Sequence, residues 1–402
     1  MDIIKMAFRN LFRNKRRSFL TSLSLLVAGF VVVVLHGYVT GFLKGMKENI
    51  INWMSGHIII AKEEYFSRKF FVPQEEYLEN PYLIKEKLKE FKYVSFYTER
   101  LKSMGIIFKK DINKPVLIFG IDSEKERRIL EIDRKIVSGT YDLKEGVLLG
   151  KELSKSLDLN IGDTVVIISK TVLGGLNGIK MKVNGIVNVG FSEFDKKVVI
   201  ISISNMRRLL KMPEGVHEIL VFLKDENKIK DFKKNFKLNG ITARDYVQEL
   251  GSFSYYFKLA NNIYYFIYIL IIILATFTVI NTMTVAVFER LREIGTLKAL
   301  GMRDLEIFLL FGIEGTILGT FGGIIGAFFG WFVNIFLNFK GINMESAVRG
   351  MSIAVPYVIR PTANFYVVIF AIFLITVICS IVSMIPAFYA KRLTPQETLR
   401  EI

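Results

Sequence analysis

The sequence predicts a membrane protein with four transmembrane α-helices in a 1 + 3 order and a large extracytoplasmic α+β domain inserted between helices 1 and 2. Hydrophobic residues make up 51% of the 402 residues, and charged residues only 23%. Four uncharged stretches are long enough to cross a ~30 Å hydrocarbon core, which takes about 20 helical residues. They are Ser18–Leu43, Leu259–Phe288, Gly315–Phe339 and Pro361–Ala390.

The composition also excludes several classes of protein. A disordered chain needs low hydrophobicity and high charge. The single cysteine, Cys379, excludes a disulfide framework and any metal site built from several cysteines. The alternative interpretation is that the four stretches are buried helices of a soluble protein. Such helices are usually shorter than these stretches and carry a polar stripe.

Lysine and arginine flank the predicted spans unevenly, which predicts the orientation. Six basic residues precede the first span, four separate the second from the third, and three follow the fourth. These segments can all be cytoplasmic together, with both termini inside a cell (inner) membrane. The predicted segments are a cytoplasmic amphipathic basic helix (1–17), spans at 18–43, 259–288, 305–339 and 361–390, an extracytoplasmic domain (44–258), a cytoplasmic helix (289–304), an outer loop (340–360) and a cytoplasmic tail (391–402).

Residues 44–258 mix short strand and helix patterns, which predicts an α+β domain. Strands are expected at 57–61, 115–120, 164–168, 182–187 and 197–201, and helices near 80–91, 150–158, 204–211 and 227–236. Gly146–Glu152 resembles a phosphate-binding loop, but its spacing is one residue short and Glu152 stands where Ser or Thr must hold Mg²⁺. With no catalytic constellation, the domain is expected to bind or move something rather than to catalyse.

The segment between spans 2 and 3 predicts a short charged helix at the cytoplasmic surface. Val287, Leu291 and Ile294 fall on one face, and Gly301 fits the left-handed position that ends a helix. Gly295 inside the helix costs up to ~1 kcal/mol, which suggests a close backbone approach by a partner. A plain connecting loop is the alternative.

These residues carry a family resemblance. The run ERLREIGTLKALGM (289–302) resembles the coupling-helix signature of FtsX/MacB-type ABC transporter permeases, including the lipoprotein-releasing LolC/LolE type. Further similar stretches are RNLFRNKRR (9–17), GKELSKSLDLNIGDTVVI (150–167), FDKKVVIIS (194–202) and LTPQETLREI (393–402). The helix order agrees with the family as well.

The resemblance implies a permease subunit that transmits ATPase-driven motion to its outer domain and exports or extracts a hydrophobic substrate such as a lipoprotein. The expected partners are a cytoplasmic ABC ATPase, which would hold ATP and Mg²⁺, a second identical or related permease, and membrane lipid but no nucleic acid. A periplasmic adaptor or lipoprotein carrier is also compatible. The alternative is an FtsX-like scaffold that activates an extracytoplasmic enzyme.

The predicted functional residues form two sets. The coupling set faces the ATPase and comprises Glu289, Arg290, Leu291, Arg292, Glu293, Ile294, Gly295, Lys298 and Gly301. The second set consists of glycines at four-residue spacing, which allow close helix packing in lipid: Gly315, Gly319, Gly322, Gly323, Gly326 and Gly330.

One carboxylate near the start of span 3 needs a partner, because an unpaired charge is costly in the membrane. This residue is Glu314, and Arg290, Arg292 and Lys298 are its candidate partners.

Overall fold

The computed structural model describes residues 3–13, 15–67, 75–190, 192–212, 214–250, 253–348 and 356–392, in two compact units. The described residues within Met1–Leu43, Tyr256–Ile342 and Ile359–Ile402 form the helical unit. Those within Lys44–Tyr255 and Asn343–Val358 form the sheet unit.

The elements follow one another in three groups. Two helices come first: α1 (Ile3–Arg13) and α2 (Lys15–Ile50), the latter continuing as a π-helical turn, Ile51–Ser55. The middle group contains β1 (Ile58–Lys62), α3 (Glu63–Ser67), α4 (Pro81–Lys89), β2 (Val94–Lys109), β3 (Ile112–Ile121), α5 (Ser123–Ile129), α6 (Ile132–Lys135), β4 (Ile136–Gly139), β5 (Gly146–Gly150), α7 (Lys151–Ser156), β6 (Thr164–Lys170), β7 (Leu176–Val187), α8 (Ser192–Asp195), β8 (Val198–Ser202), α9 (Ile203–Leu210), β9 (Glu218–Leu223), α10 (Ile229–Asn235), β10 (Ile241–Asp245) and α11 (Tyr246–Leu250). The last group is α12 (Phe253–Glu289), α13 (Leu291–Ala299), α14 (Asp304–Lys340), β11 (Ile342–Asn343), α15 (Glu345–Val348), β12 (Val358–Ile359) and α16 (Phe365–Arg392).

The sheet unit is built on one mixed sheet with the strand order β10-β1-β9-β2-β3-β8-β5-β7-β4, in which β6 also pairs with β2 and β7. Strand β2 is the longest and lies in the interior of the sheet. Its first half pairs with β9 and its second half with β6, while β3 follows it along most of its length. All described residues of β5, β8 and β9 are buried, which explains their continuous apolar sequences.

Four helices in the described part of the chain are long and apolar enough to cross a membrane: one before the sheet domain along the chain and three after it. Each predicted span coincides with one of them, and the first three helices are longer than the predicted spans. α2 continues past residue 43, and α12 begins before residue 259, so the ends of the predicted 44–258 domain are helical. The fourth helix begins at Phe365 rather than at Pro361.

The predicted C-terminal tail extends beyond what the structure describes. The tail 391–402 and its LTPQETLREI motif lie outside the described residues, apart from the last two residues of α16.

Within the predicted outer loop 340–360, the described residues of Asn343–Val358 belong to the sheet unit. Lys151 Nζ donates to Glu345 Oε1 at 2.5 Å, and the Tyr357 amide donates to the Gly190 carbonyl at 2.8 Å. Burial raises the pKa of the nearby Asp195 carboxyl to about 7, although its bonds with the Val189 amide and Tyr357 oppose that rise. The sequence did not indicate these contacts, since their partners are about 150 to 200 residues apart.

The two glycine rows of α14 pack against different helices. A methyl carbon added at Gly315 or Gly319 would meet Ser383 or Cys379 of α16. The other row faces α2, where an added carbon at Gly322 would lie 2.7 Å from Leu25 Cβ. Because both rows lack side chains, α14 approaches both neighbours closely.

The remaining three glycines follow the same division. Gly323 lies against Ile372 and Ile375 of α16, whereas Gly326 and Gly330 face the α2 backbone at Leu26 and Phe30.

Within α14, two glycines provide a matched test of this packing. A Cβ at Gly326 would lie 2.8 Å from the Leu26 carbonyl carbon, whereas one at Gly323 would have no neighbour closer than 3.6 Å. We expect Gly326→Ala to destabilise the protein by about 1–3 kcal/mol through overpacking. Gly323→Ala should be neutral or stabilising because alanine favours the helix. Unfolding in detergent measures both, and equal effects would contradict the assignment of the two rows.

Candidate functional site

The segment between α12 and α14 forms a short, well-terminated helix. Arg290 leaves the helical conformation (φ −111°, ψ 14°) and separates α12 from α13. At the other end, Gly301 adopts φ +93°, as the sequence predicts. The Gly301 amide donates to Lys298 O at 2.9 Å, and the Met302 amide donates to Leu297 O at 3.0 Å. This bond pair is a Schellman motif, which fixes where α13 ends.

The inner face of α13 is apolar and packs within the helical unit. Ile294 is buried with Val287 of α12 and with Ile307 and Phe311 of α14, and Leu291 packs against them. The predicted apolar face is therefore present, but its neighbours are helices of this chain. Gly295 is also buried on this side. Ile294 and Gly295 of the predicted coupling set are thus buried within this chain.

Arg290 of the same set also contacts helices of this chain. Its guanidinium is buried and forms an ion pair with Glu314 of α14, with Nη1 2.8 Å from Oε1. Asn10 of α1 donates to the same carboxylate oxygen at 2.8 Å, and Arg290 Nη2 donates to the Asn10 carbonyl at 3.2 Å. Burying a charge is costly unless it is paired and hydrogen-bonded. Of the three predicted partners for Glu314, the structure selects Arg290.

Two carboxylates at the surface join α1 and α2 to this region. Arg13 pairs with Glu293 at 2.6 Å, and Arg17 pairs with Glu289 at 2.7 Å. Both carboxylates are half-exposed, so each pair contributes about 0–1 kcal/mol. The sequence predicts the N-terminal segment only as a cytoplasmic amphipathic basic helix, because residues about 280 positions apart give no local signal.

The outer face of α13 is what remains available to a partner. Arg292 and Thr296 are exposed there, while Lys298 is largely covered by its ion pair with Asp304. Leu300 follows the helix with 80% of its surface exposed. Sequence reasoning missed Leu300. The signal that could have identified it is an apolar residue placed directly before a helix-ending glycine, outside the buried stripe.

Comparison with known proteins covers both units. The family model described as "FtsX-like permease C-terminal" matches residues 265–395, which include α13. The model described as "MacB-like periplasmic core domain" matches residues 18–237, more than half of the chain. The chain belongs to the FtsX/MacB-like family of ABC transporter permeases.

Individual relatives of this permease agree with that family. It is 24% identical over 311 residues to "Lipoprotein-releasing system transmembrane protein LolC" of Xylella fastidiosa (strain 9a5c), covering 72% of this chain and 73% of that protein. The LolC of Buchnera aphidicola subsp. Schizaphis graminum (strain Sg) is 24% identical over 376 residues, covering 90% and 88%. Among solved structures, the periplasmic region of MacB from Actinobacillus actinomycetemcomitans aligns with TM-score 0.35 and 14% identity, covering 51% of this chain and 95% of that one.

The buried pair provides a prediction about the permease fold. Arg290→Met leaves the Glu314 carboxylate buried without its cation, so we expect a loss of about 3–5 kcal/mol in unfolding free energy. Arg13→Met removes the cation of an exposed pair and should cost at most about 1 kcal/mol. Chemical unfolding of the purified permease in detergent compares the two variants. A similar loss in both would mean that the Arg290 pair is not desolvated.

Proposed function

We propose that this permease is the membrane half of an ABC transporter that releases lipoproteins from the membrane, driven by a separate ATPase that docks on α13. One observation carries the proposal: α13 presents an exposed outer face while its inner face and the preceding arginine are fixed to α12, α14 and α1. A partner that pushes α13 therefore acts on several helices at once. The relatives named as lipoprotein-releasing proteins supply the substrate class.

In this proposal, both termini and α13 are cytoplasmic, and the sheet unit lies outside the membrane. The support is the uneven distribution of lysine and arginine around the four spans. ATP and Mg²⁺ would bind to the partner ATPase rather than to this chain. Lys151, the lysine of the phosphate-loop-like run, instead pairs with Glu345 in the sheet unit.

Motion would pass through packed helices rather than through a substrate channel. The glycine rows hold α14 against α2 and α16, and the Arg290–Glu314 pair connects α12 with α14. Coupling through such contiguous packed elements is physically plausible over long distances. A second permease, identical or related, would complete the transporter. The exposed side chains of α12, including Tyr265, Phe266 and Phe277, are available for it or for lipid.

A hairpin of the sheet unit is the proposed contact for a soluble lipoprotein carrier. β6 and β7 are joined by a tight turn in which the Thr171 amide donates to the Gly175 carbonyl at 2.7 Å. Leu173 lies within the turn and Leu176 directly follows it, with 83% and 78% of their surfaces exposed, the highest values among the large apolar side chains described in this unit. Exposed apolar side chains at such a tip favour binding of another apolar surface.

The first test concerns the ATPase. Purification of the tagged permease in mild detergent should recover an ATPase with Walker motifs. Leu300→Asp should weaken that association by about 30-fold or more, because it places a charge where an apolar anchor is expected. Leu173→Ser, an equally exposed change in the sheet unit, should leave it unchanged. Failure of the unaltered permease to recover an ATPase would contradict the proposal.

The experiment on the exposed glutamates needs a double variant. The single change Glu293→Lys breaks both the ion pair with Arg13 and any contact that Glu293 makes with the ATPase. Arg13→Glu combined with Glu293→Lys restores the internal pair with reversed charges. We expect both the single and the double variant to insert but to hydrolyse ATP without releasing lipoprotein, since the partner surface still meets a lysine. The same reasoning applies to Glu289 and Arg17. Recovery of release in the double variant would assign Glu293 to α1 instead.

The second test concerns the hairpin. The double variant Leu173→Ser/Leu176→Ser should lower transfer of lipoprotein to a soluble carrier by about tenfold or more, because it removes the apolar surface. Association with the ATPase should remain. Val137→Ser, an exposed apolar change on β4, serves as the control and should transfer normally. If the hairpin variant instead loses activation of a cell-wall hydrolase and the permease moves no lipoprotein, the scaffold alternative is correct.

A further inference from the structure

The end of α2 in the sheet unit is an unusual helix terminus. The helix widens into the π-helical turn Ile51–Ser55 and stops at Gly56, whose φ of +61° suits glycine. The Gly56 amide donates to the Ile51 carbonyl at 2.7 Å. The last carbonyls of any helix lack partners within it and carry the negative end of the helix dipole. Here those carbonyls belong to residues in or beside the buried core.

Two cationic side chains of β2 satisfy three of these carbonyls. Arg100 donates from Nη2 to the Asn52 carbonyl at 2.9 Å and from Nη1 to the Trp53 carbonyl at 2.5 Å. Lys102 Nζ donates to the Met54 carbonyl at 3.2 Å. Because side chains two residues apart in a strand point to the same face, one face of β2 forms the whole cap.

Both cations are buried and each has its own carboxylate. Arg100 Nε lies 2.7 Å from Glu126 Oε1, and Arg100 Nη2 lies 2.7 Å from Glu126 Oε2. Thr98 also donates to Glu126, at 3.1 Å. Lys102 forms an ion pair with Glu218 of β9. The side chains of Arg100 and Glu126 are at most 1% exposed, so the bonds to the helix are shielded from water.

The position of β2 gives the cap a mechanical consequence. The covalent path from α2 leads through Gly56 to β1, which lies next to the edge strand β10. Gly56 has the backbone freedom to act as a pivot there. The three bonds from Arg100 and Lys102 bypass that pivot and attach the helix end to an interior strand.

We infer that Arg100 and Lys102 are positioning residues that transmit the motion of α2 to the sheet, by holding the carbonyls at its end. This inference rests on the proposed function, because it assigns the residues that connect α2 to the sheet in the same motion-transmitting permease. Movement of α2 would reach the sheet through β2, and loss of the cap would leave the connection at Gly56 and the apolar packing of Ile51 and Trp53.

The test uses the full-length permease with its ATPase in lipid nanodiscs. Arg100→Leu/Glu126→Leu removes the buried pair together, which keeps the site apolar and usually preserves folding. The matched control is Arg127→Gln/Asp133→Asn, because this exposed pair of the same region also joins its partners through several short bonds but contacts no helix carbonyl. Arg100→Lys is a milder variant that keeps the charge but loses the forked geometry.

Hydrogen exchange of the peptide covering residues 51–57 reports directly on the cap. We expect exchange there to be about tenfold faster in Arg100→Leu/Glu126→Leu and unchanged in the control. Lipoprotein release should fall by about twofold to thirtyfold, while ATP hydrolysis and ATPase association persist. Arg100→Lys should lie between the two in both readouts.

Either of two results would overturn the inference: unchanged exchange at 51–57, or faster exchange with normal release. If the double variant does not accumulate, Arg100→Lys decides the question by the same two readouts. Absence of lipoprotein release by the unaltered complex would refute the proposed function instead, and the exchange measurement would still decide whether the cap exists.

Discussion

The Arg290–Glu314 ion pair is the interaction on which the arrangement of the helical unit depends. Neither charge can be left alone in an apolar environment, so the residue between α12 and α13 must lie against α14. The Asn10 side chain and carbonyl also bond to this pair and bring α1 to the same point. Once these positions are fixed, the apolar stripe of α13 has only one buried surface available, and its opposite face must point outward. The exposed face of α13 is thus a consequence of how a buried charge is satisfied.

The glycine rows act along the length of the helices, whereas the ion pair acts at one point. Lipid tails are as apolar as the helices they surround, so membrane helices gain little by hiding apolar area and depend on close packing instead. α14 uses two rows of glycine to contact α2 and α16 at short distance, whereas α12 leaves most of its large side chains exposed. The contrast divides the helical unit into a packed part, which can pass a displacement along, and a surface that remains free for lipid or another subunit.

Local signals in the sequence predicted most of the fold. Long uncharged stretches, short apolar strand patterns and the stop at Gly301 each depend on neighbours within a few residues, and the corresponding elements are present. Partner choice was not predictable in the same way. Glu314 had three candidate cations on one short helix, and only the packing of α13 selects Arg290. The exposed Leu300 and the attachment of Asn343–Val358 to the sheet unit likewise depend on contacts between segments far apart in the chain.

Buried ion pairs occur in both units. Their presence needs an explanation other than stability. A buried ion pair seldom adds net stability, since desolvation offsets most of the attraction, and an apolar replacement of similar volume often serves as well. A charge retained in such a place is better explained by a geometric requirement that an apolar side chain cannot meet. Arg100 meets such a geometric requirement, because its planar guanidinium binds a carboxylate and two adjacent helix carbonyls at once. The direction of these bonds, rather than their contribution to folding, is what connects a helix end to an interior strand.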